Sequence, residues 1–409
     1  MNIVIGAGIS GLSAGQALDG ELLILEKSAL PGGLAGQYRA NGYAFDYGGH
    51  YFHFQNKSSI QAHVEKYHDF RAYRRNSKIF LLERFIPYSL QYHLAYLPAR
   101  QRQTILAEMR QGQDRTGESL EEFLLANFGK QFYLLFFQPF LSKFYRRSLA
   151  DLIHGMDKGS IPVPRLAEVL AGCREKKNFS EGYNPVFYYP SRSLQKFIEN
   201  YSRPVQDKIH FSEAVAHIDA RQKKLVTSRG TYGYDNLLSS MPLKELLGMI
   251  SPAPPFPRRQ LQSISTLVVN AVLARRRRRF HWLYLPEREF SFYRVGYYPR
   301  GRVVSIYLEK TIAAAGPIDE ASVLREVTRT LLRTGMVSRS QEILFHDLKR
   351  IPVSYIVFDR NWPQLVPQIL SYLRRLGIYS IGRYGSWNYS SMADDIQMAR
   401  EIAAQIRQK

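Results

Sequence analysis

The apolar positions of this chain follow two rhythms. Near the start, and again past the middle, they come in short continuous runs or strict alternation. Between about residues 59 and 174 they recur every third or fourth position. Residues 2–5 form an apolar run that predicts a buried strand. Glycines crowd the positions that follow, residues 12–18 predict a short helix, and Leu22-Leu23-Ile24-Leu25 predicts a second strand. The chain therefore opens on a compact βαβ unit. In the second rhythm, residues 59–67, 100–111 and 120–128 predict helices. Thr116-Gly117-Glu118-Ser119 precedes the last of them, with Ser119 as the expected N-cap and Glu122 three positions on. A strand hairpin, residues 78–82 and 84–88, interrupts this mostly helical stretch.

From residue 187 alternation returns. Residues 210–211, 214–218, 224–227 and 230–234 predict short strands, and 237–242 a strand re-entering a core. Residues 267–273, 282–285, 290–296 and 303–308 predict an antiparallel sheet. A helix over 321–333, a last strand over 378–381 and a closing helix over 394–407 complete the pattern. No internal repeat or low-complexity linker separates these parts, so the cores are interleaved rather than strung in series.

Composition narrows the picture. At 409 residues, 45% hydrophobic and 22% charged, the chain is globular and too long for one ordinary core. No apolar run approaches the roughly 20 residues that span a bilayer; residues 132–141 come nearest. Met1-Asn2 leads straight into Ile3-Val4-Ile5, without the basic and long apolar regions of a secretory signal. The lone Cys173 excludes an intrachain disulfide framework and a cysteine metal cluster. A cytoplasmic location is expected. The net charge of +21 is partly concentrated in Arg275-Arg276-Arg277-Arg278-Arg279. With no nucleic-acid fold signature beside it, this run reads as a solvated loop between strands; attraction to anionic substrates or an anionic membrane surface is compatible with it.

The first glycines carry chemistry. Gly6-x-Gly8-x-x-Gly11 follows a predicted strand and opens a predicted helix, and Glu26 ends the second strand twenty residues past Gly6. Gly6 permits the tight turn, Gly8 lets backbone approach a pyrophosphate, and Gly11 lets the helix pack close to the sheet. The helix N-terminus offers unpaired N–H groups to phosphates, and Glu26 can accept from both ribose hydroxyls. These features together predict a dinucleotide site.

Longer strings carry a resemblance. Lys27-Ser28-Ala29-Leu30-Pro31-Gly32-Gly33-Leu34-Ala35 resembles the second FAD-contacting loop of the amine-oxidase-like flavoprotein superfamily. Tyr43-Ala44-Phe45-Asp46-Tyr47-Gly48-Gly49-His50 resembles the strand and turn those proteins lay against the isoalloxazine. Residues 214–242, and Gly382-Arg383 before the closing helix, resemble the later FAD-domain segments. The resemblance implies an α/β fold. A Rossmann-like FAD-binding domain (residues 1–58, 205–246 and 376–409) would carry an inserted, mainly helical domain (59–184). An antiparallel β-sheet substrate domain would take 185–204 and 247–375. It also implies FAD contacts at Gly6, Gly8, Ile9, Ser10, Gly11, Glu26, Lys27, Gly33, Leu34, Ala35, Gly49, His50, Arg75, Val215, Arg383 and Met392.

Within that superfamily one branch stands out. Phe85-Ile86-Pro87-Tyr88-Ser89-Leu90-Gln91, Trp282-Leu283-Tyr284-Leu285-Pro286-Glu287, Phe292-Tyr293-Arg294 and Gly382-Arg383-Tyr384-Gly385-Ser386-Trp387-Asn388-Tyr389 resemble strings of UDP-galactopyranose mutases, especially the eukaryotic type. The resemblance implies that Tyr284 and Gln91 hold a uracil, that Arg294 and Tyr389 contact a diphosphate, and that Tyr88 and Asn184 line the nucleotide-sugar site. His50, Arg294 and Arg383 are the residues it implies nearest the chemistry. The pattern breaks in places. The family's second diphosphate arginine falls at Ser160, with Lys158 and Arg165 nearby. A sugar-binding asparagine falls at Leu141, the adjacent tryptophan at Tyr145, and a diphosphate tyrosine at Ile351, with Tyr355 close by.

The leading expectation is thus a mutase-like isomerase that interconverts pyranose and furanose forms of a nucleoside-diphosphate sugar, for polysaccharide biosynthesis. In that family the flavin must be reduced, NAD(P)H being one reductant, and the cofactor does the covalent work, so no nucleophilic side chain is demanded. This suits a chain with no Ser/His/Asp or Cys/His constellation. The alternative is an FAD-dependent oxidoreductase of the amine-oxidase or protoporphyrinogen-oxidase kind. Escort proteins of prenylated GTPases share the architecture without using flavin; retention of Gly8, Glu26, Gly32 and Gly33 argues against that reading.

Overall fold

A computed structural model describes all residues except 112–116, 156–160, 177–183, 300–302 and 409. Thr116, Lys158 and Ser160 lie outside the described residues. Packing divides the chain into two compact units: Met1–Tyr73, Val186–Gln262 and Asn361–Lys409 form the first, Arg74–Pro185 and Ser263–Arg360 the second. The sequence reading set 59–184 apart as a helical domain. In the structure 59–73 packs with the first unit, and the rest shares a unit with the large sheet.

The first unit is built on a five-stranded parallel sheet, ordered Ile378–Ser380, Asn236–Ser239, Asn2–Ile5, Leu22–Leu25, Ile209–His210. These strands are buried on both faces, which is why they read as continuous apolar runs rather than alternations. The helices Ile9–Ala17 and Met392–Arg407 pack on one another beside it. Ile9, Leu12, Ile396, Ala399 and Ala403 share one core with Phe52, Phe197 and Tyr201. A four-stranded sheet (Thr231–Gly233, Lys224–Thr227, Val215–Asp219, Ile250–Ser251) and the hairpin Gln37–Ala40/Tyr43–Asp46 complete the unit with further helices.

The second unit is built on a seven-stranded sheet, ordered Ile343–Ile356, Ser263–Leu273, Val304–Ile312, Arg294–Tyr297, Trp282–Tyr284, Ser77–Leu81, Arg84–Pro87. It is antiparallel except where Trp282–Tyr284 runs parallel to Ser77–Leu81. The hairpin read as an interruption of the helical stretch is therefore the edge of this sheet. Ile79, Phe80 and Leu81 are all buried, so the strand requires cover on both faces. Helices Ala99–Gln111, Leu120–Phe132, Gln138–Tyr145 and Leu166–Arg174 form its helical part. Ser119 caps the second of these as expected, its hydroxyl accepting from the Glu122 N–H at 3.2 Å while the Glu122 carboxylate accepts from the Ser119 N–H at 3.1 Å. The arginine run is, as expected, a loop between two strands of this sheet, with Arg275, Arg276 and Arg279 exposed; within it Arg275 and Arg277 pair with Glu342, Arg276 lies over Tyr297 and Arg278 over Phe85. Among the described residues no helix is long and apolar enough to cross a membrane.

Candidate functional site

In the first unit the glycine turn is assembled by contacts that only glycine permits. Gly6 sits at φ +96°, and a Cβ there would stand 2.4 Å from Ser240 Oγ. A Cβ on Gly11 would stand 1.9 Å from the Gly6 carbonyl oxygen, inside any permitted contact. Gly8 is different. Its nearest protein neighbour to such a Cβ would be the Gly32 carbonyl oxygen at 3.9 Å, an ordinary contact. The protein itself does not require Gly8 to be bare, so its bareness leaves room for something beyond the protein.

The second glycine loop meets the first directly. Gly8 bridges Gly32 in parallel, and the Gly32 N–H donates to the Ala7 carbonyl at 2.8 Å. Gly33, Leu34 and Ala35 form a single 3₁₀ turn there. Glu26 is buried, and its two carboxylate oxygens accept from the Ala7 N–H at 2.7 Å and the Ser28 N–H at 2.8 Å. A carboxylate has about four acceptor positions, so the Glu26 oxygens keep capacity for further donors. Exposed Lys27 follows it. The backbone of residues 26–28 pairs with 210–213, which leads into Val215 at the head of its strand. Helix Ile9–Ala17 begins with no side-chain cap and no acid in its first turn. Its first N–H groups are thus not met by a side chain of its own first turn or cap. Gly382, at φ +74°, closes over Ser10: a Cβ there would stand 2.2 Å from Ser10 Oγ. Met392 starts the closing helix and lies in the same core as Ile9.

Gly49 and His50 follow the hairpin Gln37–Ala40/Tyr43–Asp46, in a turn where the His50 N–H donates to the Gly48 carbonyl at 3.1 Å. Asp46 anchors that turn. It is fully buried, and its carboxylate accepts from Gln37 Nε2 at 2.6 Å and from the Tyr189 hydroxyl at 2.8 Å. Burial pushes its carboxyl up to about 7 against the pull of these two donors. Arg383 Nη1 donates to the Ser390 carbonyl at 3.1 Å, and its guanidinium lies 4.6 Å from the Tyr389 ring centre. Asp395 accepts from the Ser390 hydroxyl; burial lifts its carboxyl to about 6, with Ser390 and Arg383 opposing.

In the second unit the sheet register aligns a row of side chains. Tyr284 pairs across strands with Arg294, and Arg294 pairs with Glu309. Directly opposed residues project on one face, so aromatic ring, guanidinium and carboxylate stand side by side. Arg294 Nε donates to Glu309 Oε2 at 2.6 Å, and Nη2 donates to the Tyr355 hydroxyl at 3.2 Å. Burial would pull the guanidinium down; Glu309 and the ring hydroxyls of Tyr355 and Tyr307 outweigh it and hold Arg294 well above its ordinary value. It is a fixed cation.

Around Tyr284 the walls are aromatic. Tyr88 lies 4.8 Å from its ring centre and Phe140 5.6 Å, edge-on. Arg75 sits over Tyr88 at 4.5 Å and Trp282 at 5.0 Å. Arg75 Nη2 and Trp282 Nε1 both donate to the Tyr284 hydroxyl, at 3.2 and 3.0 Å. With both oxygen lone pairs engaged, the Tyr284 O–H can act outward only as a donor. Phe144, on the same helix as Phe140, packs edge-on against Tyr293 and Tyr355.

The structure thus brings Tyr88, Tyr284, Arg294 and Arg75 to one face of the second unit. Gln91 is buried, its amide donating to the Pro162 carbonyl at 2.9 Å. Asn184, at φ +54°, precedes Pro185, whose carbonyl accepts from the Arg75 N–H. Where the family pattern breaks, Leu141 fills the helical core and Ile351 is buried opposite Thr266, while Tyr355 reaches Arg294. Nothing in the sequence points to Glu309, Phe140 or Phe144 beside this face, and Trp282 stands there only within a family-like string, without a role. Only the i, i+2 spacing of Trp282 and Tyr284 announced that they share a face.

Residues 4–67 match the family model of the NAD(P)-binding Rossmann-like domain. Among solved structures, reduced UDP-galactopyranose mutase is 22% identical, with a TM-score of 0.91 over 100% of this chain and 95% of that one. A provisionally named protoporphyrinogen oxidase from Exiguobacterium sp. 255-15 is 16% identical, with a TM-score of 0.76 over 100% and 98%. Cyclohexylamine oxidase from Brevibacterium oxydans IH-35A is 12% identical, with a TM-score of 0.71 over 100% and 98%. The chain has the fold these mutases and oxidases share, an N-terminal Rossmann-like domain included.

Proposed function

We propose that the chain binds FAD and acts, with the flavin reduced, as a pyranose–furanose mutase-like isomerase on a nucleoside-diphosphate sugar. The residues present fit the cofactor: Gly8 leaves open space, the first turn of helix Ile9–Ala17 has no side-chain cap, and Glu26 retains acceptor capacity. Ile9, Ser10 and Gly11 would hold the pyrophosphate by backbone, Glu26 the ribose, and Gly33, Leu34, Ala35, Gly49, His50, Val215, Arg383 and Met392 the rest of the FAD. When bound and reduced, the flavin supplies an electron-rich centre able to act on an anomeric carbon.

The observation that carries the substrate reading is the row Tyr284–Arg294–Glu309. A base needs a flat apolar face with a hydroxyl donor, and a diphosphate needs a guanidinium fixed nearby. Neighbouring strands, roughly 4.8 Å apart, supply both. Arg294 and the Tyr355 hydroxyl would stabilise the charge of the departing diphosphate. Tyr88, Phe140 and Trp282 would keep water from it. Gln91 and Asn184 complete the substrate contacts proposed within this unit.

The test is to offer UDP-galactofuranose to the protein with its flavin oxidised, then reduced by dithionite or NAD(P)H. Isomerisation only in the reduced state is the expected result. Anaerobic bleaching of oxidised flavin by an amine or porphyrinogen substrate, without isomerisation, would replace this reading by the oxidoreductase.

A further inference from the structure

We propose that the first unit carries a second anion site, for a phosphate-bearing ligand, in the hollow lined by Lys244, Pro257, Arg258 and Arg259. The hollow has a volume of about 530 Å³, within the roughly 300–1,000 Å³ of small-ligand sites. None of its lining residues is among those at the glycine turn.

Two separate segments bring the cations together. Lys244 stands on helix Leu243–Met249, and Arg258 and Arg259 on the 3₁₀ turn Arg258–Gln260. Gly248 permits the approach: a Cβ there would stand 2.0 Å from Arg258 Nη1, so the guanidinium rests on bare backbone. The connecting segment holds prolines at 252, 254, 255 and 257, which restrict its backbone. Phe256 docks edge-on against Tyr372 at 5.5 Å, and Tyr372 has Arg375 over its ring.

What sets this hollow apart is the missing counter-charge. Arg275 and Arg277 pair with Glu342, Arg294 with Glu309, and Lys310 with Glu326. Among the described residues no ion pair or hydrogen bond engages the side chains of Lys244, Arg258 or Arg259; the Gln262 amide donates only to the Arg259 backbone carbonyl, and exposed Glu245 on the same helix is not in the lining. Three like charges held around one concavity repel each other, and an anion placed there relieves that repulsion. A single carboxylate would leave most of the charge uncompensated. A phosphate or diphosphate matches both the charge and the paired guanidinium forks.

Inorganic pyrophosphate is the probe, titrated calorimetrically at low salt. Arg294→Ala serves as the background, so that the proposed substrate site does not contribute. Pyrophosphate should bind this variant, and adding Lys244→Gln, Arg258→Gln and Arg259→Gln should weaken binding more than tenfold. All three positions are exposed, so the fold should be unaltered by circular dichroism. Sedimentation with phosphatidylcholine vesicles containing phosphatidic acid separates two sources of the phosphate. Co-sedimentation lost in the triple substitution identifies a lipid headgroup; triple-dependent pyrophosphate binding without co-sedimentation identifies a soluble ligand. Identical titrations and identical sedimentation with and without the triple substitution would overturn the site. Because Arg294 is absent throughout, neither result depends on the mutase reading.

Discussion

The contacts proposed at the glycine turn of the first unit are mostly backbone, and those proposed on the sheet face of the second are side-chain ends. At the glycine turn the donors are helix N–H groups, and the side chains that matter are those left out at Gly6, Gly8, Gly11 and Gly382. On the sheet face the working groups are a guanidinium, a carboxylate and phenol hydroxyls, each held by another side chain. A backbone site fails when atoms are added, a side-chain site when they are removed. The proposed roles follow the same division. A pyrophosphate is constant among dinucleotides and can be met by fixed backbone, whereas a nucleotide sugar must be discriminated by groups that can vary.

The sharpest break should come from removal in the second unit. Arg294→Ala should abolish nucleoside-diphosphate binding, read by calorimetry with UDP. It should also leave the Glu309 carboxylate unpaired and cost about 3 kcal/mol of stability, read by denaturant unfolding. Glu309→Gln, which leaves the guanidinium in place, should weaken UDP binding less. Unchanged UDP binding in Arg294→Ala would remove the diphosphate assignment.

Addition in the first unit comes next. Gly11→Ala forces a Cβ onto the Gly6 carbonyl and should cost roughly 1–3 kcal/mol through overpacking, with FAD retention falling more than tenfold. Gly8→Ala sharpens the contrast, because its Cβ meets only an ordinary contact. Unfolding of the cofactor-free protein should change by less than about 0.5 kcal/mol, while FAD affinity falls. A large loss of stability in Gly8→Ala would mean that Gly8 serves the fold and not a ligand.

A further test concerns pH. Asp46 has its carboxyl raised from 3.8 to about 7 by burial. Over that interval the folded protein holds a proton that the unfolded chain has released. This group's contribution to stability is therefore full below pH 4, declines as pH rises toward 7, and is flat above. Asp46→Asn should lessen that slope in unfolding curves taken between pH 4 and 7, most clearly between 6 and 7, since Asp395, raised to about 6, adds its own part below that. A slope unchanged in the variant would assign it to other groups.

Legibility in the sequence followed how local each feature is. The strands Asn2–Ile5 and Leu22–Leu25, the glycine turn and the Ser119 cap depend on neighbours a few positions away, and all could be read. Strand Ile343–Ile356 could not. It contains Pro352, which argues against a strand, but it lies at the sheet edge, where a missing N–H is tolerated. Helix Trp362–Arg375 was hidden by Pro363 in its first turn and Pro367 inside it. The row Tyr284–Arg294–Glu309 depends on strand register, which no local pattern reveals; Tyr284 and Arg294 came from the family resemblance, and Glu309 was missed. The arginine run could be read as an exposed loop between strands, but not its partner Glu342, some 65 residues on.

The central claim is that the open space at Gly8 and the capacity left on Glu26 serve FAD. The direct measurement is the visible absorption of the purified protein, before and after incubation with FAD and gel filtration, with any released ligand identified by mass. The account predicts a flavin band and FAD as the released molecule. A colourless protein that takes up no FAD would contradict it.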